Sequence, residues 1–361
     1  MSDGVTAALA FVFAFAVAAI LTPVAISVAW RVGFLDTPVG HKRHDRATPY
    51  LGGAAVVLAA LPVAVLLGGV DAAAAWILGG AVLMTVVGTI DDRRMLGPLA
   101  RLAIEAGLGV LLWAVGFGWS AFNSDIASLA LSVVWVVGLV NAFNLMDNLD
   151  GAAGSVGLVC AAGAGGVALI YGSIAMAGLA FALSGALAGF LLYNLRRPSR
   201  IFLGDGGSMP VGFVIAAVLM AVSRDVGGLG AAAVVAVAPI VGLPILDTTL
   251  VMVSRARRGA PLLSGGQDHL THRLLGQLGT PRRVALTLAL AQAALCAIGL
   301  GLLGASGAVV IAIGIAYIGL GALAIMVLDL SPSLRPAVLT RAERAAARAA
   351  LRKPARQESA P

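Results

Sequence analysis

Five short polar clusters interrupt a long apolar chain, and each contains side chains that could bind metal or phosphate. They occupy residues 36–44 (DTPVGHKRH), 91–92 (DD), 141–150 (NAFNLMDNLD), 202–208 (FLGDGGS) and 268–274 (DHLTHRL). A charged side chain at the centre of a bilayer costs about 2.5–3.5 kcal/mol on the insertion scale, so membrane proteins keep one there only where it has a use. Here the carboxylates lie at the ends of apolar runs, a placement that indicates metal and phosphate chemistry.

Two of these clusters place acids where an ion could bind. Asp91 and Asp92 are adjacent carboxylates at the end of an apolar helix, and a cation between them would relieve their repulsion. Asp205 lies in a glycine-rich turn ahead of an apolar helix that we expect to begin near Met209. The glycines would allow close backbone approach, and the N–H groups of that helix would be free for an anion. The two clusters together predict a site for a metal ion and a diphosphate.

The cluster at 141–150 has the oxygen ligands that Mg²⁺ prefers. Asn141, Asn144 and Asp147 are spaced at i, i+3 and i+6, so on a helix they lie near one face, and Asp150 would be at the end of that helix. Mg²⁺ takes a few carboxylate or amide oxygens and completes its shell with phosphate and water. We therefore expect this cluster to share a metal site with the other acids.

The remaining two clusters are basic and predict contacts with anions. His269, His272 and Arg273 fall on about one helical turn of the longest polar loop. With four histidines in the chain and no cysteine pair nearby, a structural zinc site is improbable, whereas Arg and protonated His both donate to phosphate or carboxylate oxygens. The loop at 36–44 adds three more candidate phosphate ligands, Lys42, Arg43 and His44.

The elements that position these clusters are membrane-spanning helices. The 361 residues are 60% hydrophobic and 11% charged, with a mean hydropathy of +0.99, which excludes a soluble globular protein. Cys160 and Cys296 lie inside apolar runs and are expected to be core residues. We predict an all-α polytopic membrane protein with about eleven transmembrane helices, at residues 5–30, 51–70, 72–90, 102–118, 126–143, 152–170, 174–193, 209–223, 229–252, 284–303 and 307–328.

The distribution of basic residues predicts the orientation of these helices. If the N-terminus is outside and the C-terminus cytoplasmic, 23 of the 24 Lys and Arg residues lie on the cytoplasmic side, and only Arg224 does not. All five polar clusters fall on that side, which favours one shared site. The net charge of +7 then reflects orientation and anionic lipid, not nucleic acid. Residues 1–330 form a single transmembrane catalytic domain, and 331–361 a basic cytoplasmic tail that either lies on the inner leaflet as a short helix or is solvated.

In their order along the chain, the motifs resemble one known family. The series HKRH, GTIDD, NAFNLMDNLDG, IFLGDGGS, PILDT and DHLTHRL is similar to that of the polyprenyl-phosphate N-acetylhexosamine-1-phosphate transferases, from Asp36 to Leu274. The resemblance implies a bacterial inner-membrane enzyme with a cytoplasmic active site. It would transfer a sugar 1-phosphate from a UDP-sugar to undecaprenyl phosphate, release UMP and require Mg²⁺ or Mn²⁺. Membrane lipids would surround it, and a homodimer is compatible with the resemblance.

The resemblance also implies roles for individual residues. Asn144 and Asp205 match metal-binding positions, and Phe202 matches an aromatic ring that stacks on uracil. Three residues depart from the usual pattern or spacing of the family: Asn148 stands where many members have Gly, Arg101 where Lys is usual, and Asn194 lies one residue further from Asp205. The other implied roles are nucleotide contacts for Asn194 and Asp150, lipid-phosphate activation or metal organisation for Asp91, Asp92 and Asp147, catalysis for Asp150 and His269, and substrate binding for Lys42, Arg43, His44, Asn141, His272 and Arg273.

Alternative functions differ in features that the sequence displays. The last loop lacks the run of three histidines typical of phospho-N-acetylmuramoyl-pentapeptide transferases. It favours the branch that transfers N-acetylglucosamine 1-phosphate to begin O-antigen, enterobacterial common antigen, teichoic acid or arabinogalactan linkers. An intramembrane aromatic prenyltransferase would need two DxxxD-like clusters, and only Asp147 and Asp150 come close. A transporter would place acids in mid-span and show repeated halves. Direct in-line transfer and a route through an aspartyl-phosphate are both chemically allowed.

Overall fold

The computed structural model describes residues 2–37, 47–223, 230–261 and 266–331, and these ranges are almost entirely helical. Two short strands, β1 (Leu35–Asp36) and β2 (Thr48–Pro49), pair antiparallel, a departure from the predicted all-α class. The helices in chain order are α1 (Asp3–Val32), α2 (Gly52–Gly68), α3 (Ala72–Arg94), α4 (Pro98–Ala114), α5 (Asp125–Met146), α6 (Ala152–Ile170), α7 (Ile174–Asn194), α8 (Asp205–Ser223), α9 (Ala231–Val237), α10 (Gly242–Arg257), α11 (Leu270–Leu278), α12 (Pro281–Leu302) and α13 (Gly307–Leu330).

The apolar runs predicted as spans all coincide with helices, so the chain is a multi-pass membrane protein. Within the described ranges, nine helical segments are long and apolar enough to cross a membrane, with α9 and α10 counted as one. Helix α2 is apolar but has only 17 residues, and α4 also has 17. Helix α4 begins at Pro98, four residues before the predicted start. The charged residues Arg101 and Glu105 lie inside it, because both are partnered by other helices.

Small residues bring the helix backbones into direct contact, as membrane bundles require in the absence of a hydrophobic driving force between helices. A Cβ on Gly185 of α7 would lie 2.1 Å from the carbonyl oxygen of Phe11 in α1, and one on Gly189 would lie 2.5 Å from that of Phe15. The cysteines at 160 and 296 are buried and free, which confirms their predicted place in the core. The resulting bundle brings the ends of α3, α5 and α7 to the start of α8.

One predicted span is interrupted where a continuous helix was expected. Between α9 and α10 the chain forms a short 3₁₀ turn (Ala238–Val241) that contains Pro239. Gln292 of α12 completes the hydrogen bonding of this break: its amide nitrogen donates to the carbonyls of Pro239 (3.1 Å) and Ile240 (2.9 Å), and its oxygen accepts from the N–H of Leu243 (3.0 Å). Backbone N–H and C=O groups that lose their helical partners inside a bilayer need such hydrogen bonds.

Candidate active site

Two carboxylates from other parts of the bundle hold the start of α8. The oxygens of Asp92 accept from the N–H groups of Asp205 (2.9 Å) and Gly206 (3.1 Å), and Asp147 accepts from the N–H of Gly204 (3.0 Å). The prediction that these N–H groups are free for a substrate anion is therefore wrong. The protein's own acids occupy the positive end of the helix, where negative charge is stabilised.

Glycines are needed where these segments meet. A Cβ on Gly88 of α3 would lie 2.2 Å from the carbonyl oxygen of Asp205, and one on Gly53 would lie 2.2 Å from the nitrogen of Gly207. Gly204 has φ = +71°, a backbone conformation that residues with a side chain rarely adopt. A Cβ on Gly204 would also lie 2.7 Å from a carboxylate oxygen of Asp92. The close approach that the glycine-rich motif predicted is thus observed, between helices of the protein itself.

Asp205 is the first residue of α8, not part of a turn before it. The motif GDGGS continues directly into the helix, so the predicted start at Met209 was four residues late. The amide nitrogen of Asn144 donates to one carboxylate oxygen of Asp205 at 2.7 Å, and Arg101 contacts the other at 3.3 Å. Arg101 also forms an ion pair with Asp91, whose second oxygen accepts from the backbone of the following loop.

We call Asp91, Asp92, Asp147 and Asp205 the acid cluster. Among the described residues, Arg101 is the cation within ion-pair distance of it, which makes one described guanidinium for four acids. Burial raises the pKa of Asp147 well above its ordinary value, and the charges of Asp205 and Asp92 act in the same direction. Acids crowded in this way favour a proton or a bound cation among them.

The acid cluster offers carboxylate oxygens, and Asn144 beside it offers an amide oxygen. Oxygen donors of these two kinds fit Mg²⁺ or Mn²⁺. Within the part of the chain that the structure describes, no three His, Cys, Asp or Glu side chains form a closed metal-binding group. Asp205 and Asn144, which are bonded to each other, are the residues that would hold such a cation.

A cavity of about 520 Å³ opens beside the acid cluster. Besides Asp91, Asp92 and Arg101, it is lined by Asp36 of β1 and by Tyr50. Burial raises the pKa of Tyr50, and the charge of Asp36 and a hydrogen bond to it raise it further, so the phenol stays neutral. Tyr50 was not predicted as a site residue, because an aromatic residue at the start of an apolar run is ordinarily a packing residue.

A second cavity, of about 880 Å³, lies next to the first and contains the residues predicted to contact the nucleotide. Asp150 and Phe202 line it, together with Trp30 of α1 and Arg200. The backbone of Phe202 is fixed, since its N–H donates to the carbonyl of Pro49 (2.8 Å) and its own carbonyl accepts from α2. The ring lies 6.0 Å from that of Tyr50, so an aromatic contact joins the two cavities.

Asn194 connects the segments that line the second cavity. Its side chain is buried, and its oxygen accepts from the N–H of Gly151 (2.7 Å) while its nitrogen donates to the carbonyl of Ile201 (2.9 Å). The structure therefore gives Asn194 a scaffold position between Asp150 and Phe202, and its nucleotide contact stays a prediction.

Asn141 has a similar position within the bundle. Its amide donates to the carboxylate of Glu105 in α4, which is only 1% exposed, and to the carbonyl of Val137 at 2.9 Å. Glu105 was not selected from the sequence. A carboxylate inside an apolar run was the available signal.

Three hydrogen bonds hold the start of α11, two to Asp247 of α10 and one to the turn after α5. The Nδ1 atom of His269 lies 2.9 Å from Oδ2 of Asp247 in α10, and the N–H of Leu270 donates to Oδ1 of Asp247 at 2.6 Å. Two residues further on, the hydroxyl of Thr271 donates to the side-chain oxygen of Asn148, in the turn after α5. Asn148, the residue that departs from the family pattern, thus fastens α11 next to Asp147.

A set of ion pairs between the end of α10, the start of α11 and the end of α13 lies beside His269. We call it the arginine network: Arg255, Arg257, Arg258 and Arg273 with Asp268 and Asp329. Arg255 forms two hydrogen bonds of 2.8 Å with Asp268, and Arg258 adds one of 3.0 Å. Burial alone would raise the pKa of Asp268, but the bonds and charge of Arg255 outweigh it and lower that pKa to about 2.

Arg273 belongs to this network, together with its neighbours on α10 and α13. Its guanidinium is buried and donates to the carbonyl of Asp268 (3.1 Å) and to the hydroxyl of Ser254 (3.2 Å), and burial lowers its pKa. The protein itself uses these donors, so direct contact with substrate stays a prediction. The ring of His272 lies 6.4 Å from that of His269 in an edge-to-face arrangement. The predicted ligands Lys42, Arg43 and His44 lie outside the described residues, as does the tail from 332 onward.

The fold and the site define a multi-pass membrane protein with an acidic centre at one end of its helix bundle. The chain belongs to glycosyl transferase family 4, which matches residues 74–223. This confirms the family predicted from the motifs, and with it an enzyme of the transferase class. It also excludes the prenyltransferase and transporter alternatives.

Several relatives are similar to the chain over most of its length. A Streptomyces coelicolor protein described as a glycosyltransferase is 34% identical over 81% of this chain and 70% of its own. The decaprenyl-phosphate N-acetylglucosaminephosphotransferase of Mycolicibacterium smegmatis is 30% identical over 72% of this chain and 73% of its own. The undecaprenyl-phosphate alpha-N-acetylglucosaminyl 1-phosphate transferase of Escherichia coli K12 is 27% identical over 75% and 77%.

Proposed function

We propose that this protein transfers N-acetylglucosamine 1-phosphate from UDP-N-acetylglucosamine to a polyprenyl phosphate such as undecaprenyl phosphate, releases UMP and thereby begins an envelope polysaccharide. The observation that carries the proposal is the acid cluster, four acids that share one cation among the described residues, in a chain whose relatives are named for this transfer. The names specify N-acetylglucosamine, which favours this donor over a muramoyl-pentapeptide.

The main obstacle to the reaction is the repulsion between two phosphorylated substrates. Asp205 and Asn144 would hold a Mg²⁺ or Mn²⁺ ion, whose charge offsets that of the donor diphosphate. Arg101 lies between Asp91 and Asp205 and is about one-quarter exposed (23%), so its guanidinium can turn from a carboxylate onto an entering phosphate. Positive charge that is already positioned where negative charge accumulates lowers the barrier to phosphoryl transfer.

One acid must accept the proton of the lipid monophosphate before it attacks. Both oxygens of Asp92 are committed to the backbone of α8, so releasing them would disturb the site itself. Asp91 lines the same cavity, and although one of its oxygens accepts from the N–H of Leu96, the other is bonded to the side chain of Arg101, which can move away without disturbing the backbone. We therefore assign proton acceptance to Asp91 and the positioning of α8 to Asp92.

The cavity with Phe202 and Asp150 is suited to the uridine. Phe202 presents an aromatic ring and Asp150 an acceptor, and both belong to segments that Asn194 fixes. The sugar phosphate then extends toward Asp205, and the bond from Thr271 to Asn148 brings the start of α11, which His269 precedes, next to the turn that carries Asp147. In this arrangement His269 donates to the transferring phosphate.

The donor assay tests the proposal directly. Purified protein receives UDP-[³H]N-acetylglucosamine, undecaprenyl phosphate and Mg²⁺, and we expect a labelled lipid together with an equal amount of UMP. With UDP-muramoyl-pentapeptide in the same assay we expect no product. Efficient turnover of the pentapeptide donor would move the chain to the peptidoglycan branch, and no turnover of either donor would contradict the proposed function.

We further propose that the acid cluster faces the cytoplasm of a bacterial inner membrane, as the distribution of Lys and Arg supports. A cysteine at Ser199 should resist a membrane-impermeant thiol reagent in intact cells, whereas one at Ser306 should react. The native cysteines are buried, so background labelling is expected to be low. Labelling of the Ser199 variant from outside, with protection of the Ser306 variant, would invert the orientation.

A further inference from the structure

We infer that Asp247 is a positioning residue that orients the His269 imidazole toward the substrate phosphate. The inference rests on the proposed function, in which His269 contacts that phosphate. Asp247 lies in the PILDT motif of α10 and is absent from the roles that the sequence resemblance implies.

The contacts of Asp247 assign each carboxylate oxygen a separate partner. One oxygen accepts from the N–H of Leu270 at 2.6 Å, in the first turn of α11, and the other lies 2.9 Å from Nδ1 of His269. The carboxylate is 0% exposed, and an ion in such a place is tolerated only when it is well partnered. One oxygen of Asp247 is enough to bind the first turn of α11. The other oxygen is therefore available to bind the imidazole of His269.

The hydrogen bond selects the tautomer of the ring. A carboxylate accepts, so Nδ1 of His269 carries a hydrogen, and Nε2 lies on the opposite side of the imidazole from Asp247. Nε2 is then the atom that can meet a substrate oxygen. Pairs in which a carboxylate fixes a functional histidine through its other nitrogen work in this way.

The orientation is useful because α11 is fixed to the acid cluster. Thr271 is 0% exposed, and its hydroxyl donates to Asn148, which follows Asp147 directly in the chain. On the other flank, Arg255 of α10 holds Asp268 by two bonds. His269 is therefore held at Nδ1 and through both neighbouring backbone segments, and its ring has little freedom to turn.

A double-mutant cycle tests the inference. Asp247→Asn keeps an oxygen for Leu270 but removes the carboxylate from Nδ1, so kcat should fall by about 10-fold to 100-fold with KM changed less than threefold. In a His269→Ala background the same change should alter kcat by less than about twofold, because its effect passes through the imidazole. Equal losses of kcat in both backgrounds, or wild-type kcat in Asp247→Asn, would overturn the inference.

A matched control separates positioning from stability. Asp329→Asn removes an acid of the arginine network, and its effect on kcat should be the same with or without His269. If Asp247→Asn does not fold, the tautomer can be read in the wild type: ¹⁵N-histidine NMR of the neutral ring should show hydrogen on Nδ1 of His269, assigned by loss of the signal in His269→Gln. A hydrogen on Nε2 would overturn the inference. An inactive wild type would refute the proposed function alone, since the tautomer is measured without turnover.

Discussion

The acid cluster and the arginine network lie close together, joined by the bond between Thr271 and Asn148, but their charges are arranged in opposite ways. In the network, each of the two carboxylates contacts at least two guanidinium groups. In the cluster, four carboxylates share one described cation, Arg101. Each carboxylate is thus paired, with guanidinium groups in excess, where ion pairs hold the start of α11, whereas carboxylates are in excess of described cations where a reaction would require a cation and phosphate. Under the proposed function, the difference separates the polar residues that would act on substrate from those that support them.

The two regions should respond very differently to the same change of acid to amide. Asp205→Asn is nearly isosteric and should leave the protein folded but lower turnover by about 10³-fold, on the scale of losing a main electrostatic contact. Asp268→Asn in the network should lower turnover by only a few-fold. The measurement is kcat with UDP-N-acetylglucosamine at saturating Mg²⁺, with melting temperature as the folding control. Activity of Asp205→Asn within about threefold of wild type would remove it from the metal site.

A second test uses the backbone contact on which the acid cluster depends. In Gly88→Ala the new methyl group would meet the carbonyl of Asp205 at 2.2 Å, so α3 and α8 must separate and Asp92 must lose its bonds to α8. We expect turnover to fall by about 10-fold to 100-fold, the loss that small misplacements of catalytic groups produce. Gly79→Ala is the matched control on the same helix, since nothing described lies within 4 Å of its Cβ. Equal activities of Gly88→Ala and Gly79→Ala would show that turnover does not need the close approach of α3 and α8.

The smallest effect on turnover is expected in the arginine network, where pH should instead change stability. Because the folded pKa of Asp268 is about 2 and the ordinary value is about 3.9, its carboxylate stabilises the fold fully above pH ~4. That stabilisation is lost as the pH falls toward 2. The melting temperature of Asp268→Asn should therefore lie below that of wild type at pH 7, and the gap should narrow at pH 3. A difference in melting temperature that is the same at pH 7 and pH 3 would contradict the ion pair between Asp268 and Arg255.

Among the described residues, the sequence predicted the helices and the nearness of the polar clusters better than it predicted the partner of each polar side chain. Apolar runs of 20 residues determine spans almost by themselves, and motifs at their ends must meet when the helices pack. Hydrogen-bond partners, in contrast, come from distant parts of the chain. Asp92 caps a helix that begins at Asp205, and no local pattern contains that information. Asn194 and Arg273 were therefore interpreted as substrate contacts although the protein uses their donors internally.

The residues that were missed share one recognisable signal. Glu105 and Asp247 are acids inside or beside apolar runs, and both are buried against a partner that sequence spacing does not reveal. An acid in such a position is expensive in membrane and is a candidate for function by default. Applying that rule to the PILDT motif would have selected Asp247 before the structure was known.

The repair of the break between α9 and α10 by Gln292 has a consequence for biosynthesis. The carbonyls of Pro239 and Ile240 and the N–H of Leu243 obtain their partner from α12, which the ribosome makes some fifty residues later. Each such group left unpaired in hydrocarbon costs several kcal/mol. Until α12 has entered the membrane, α10 therefore cannot settle in its final position. The start of α11, which follows α10, therefore reaches its final position only after α12 has been inserted.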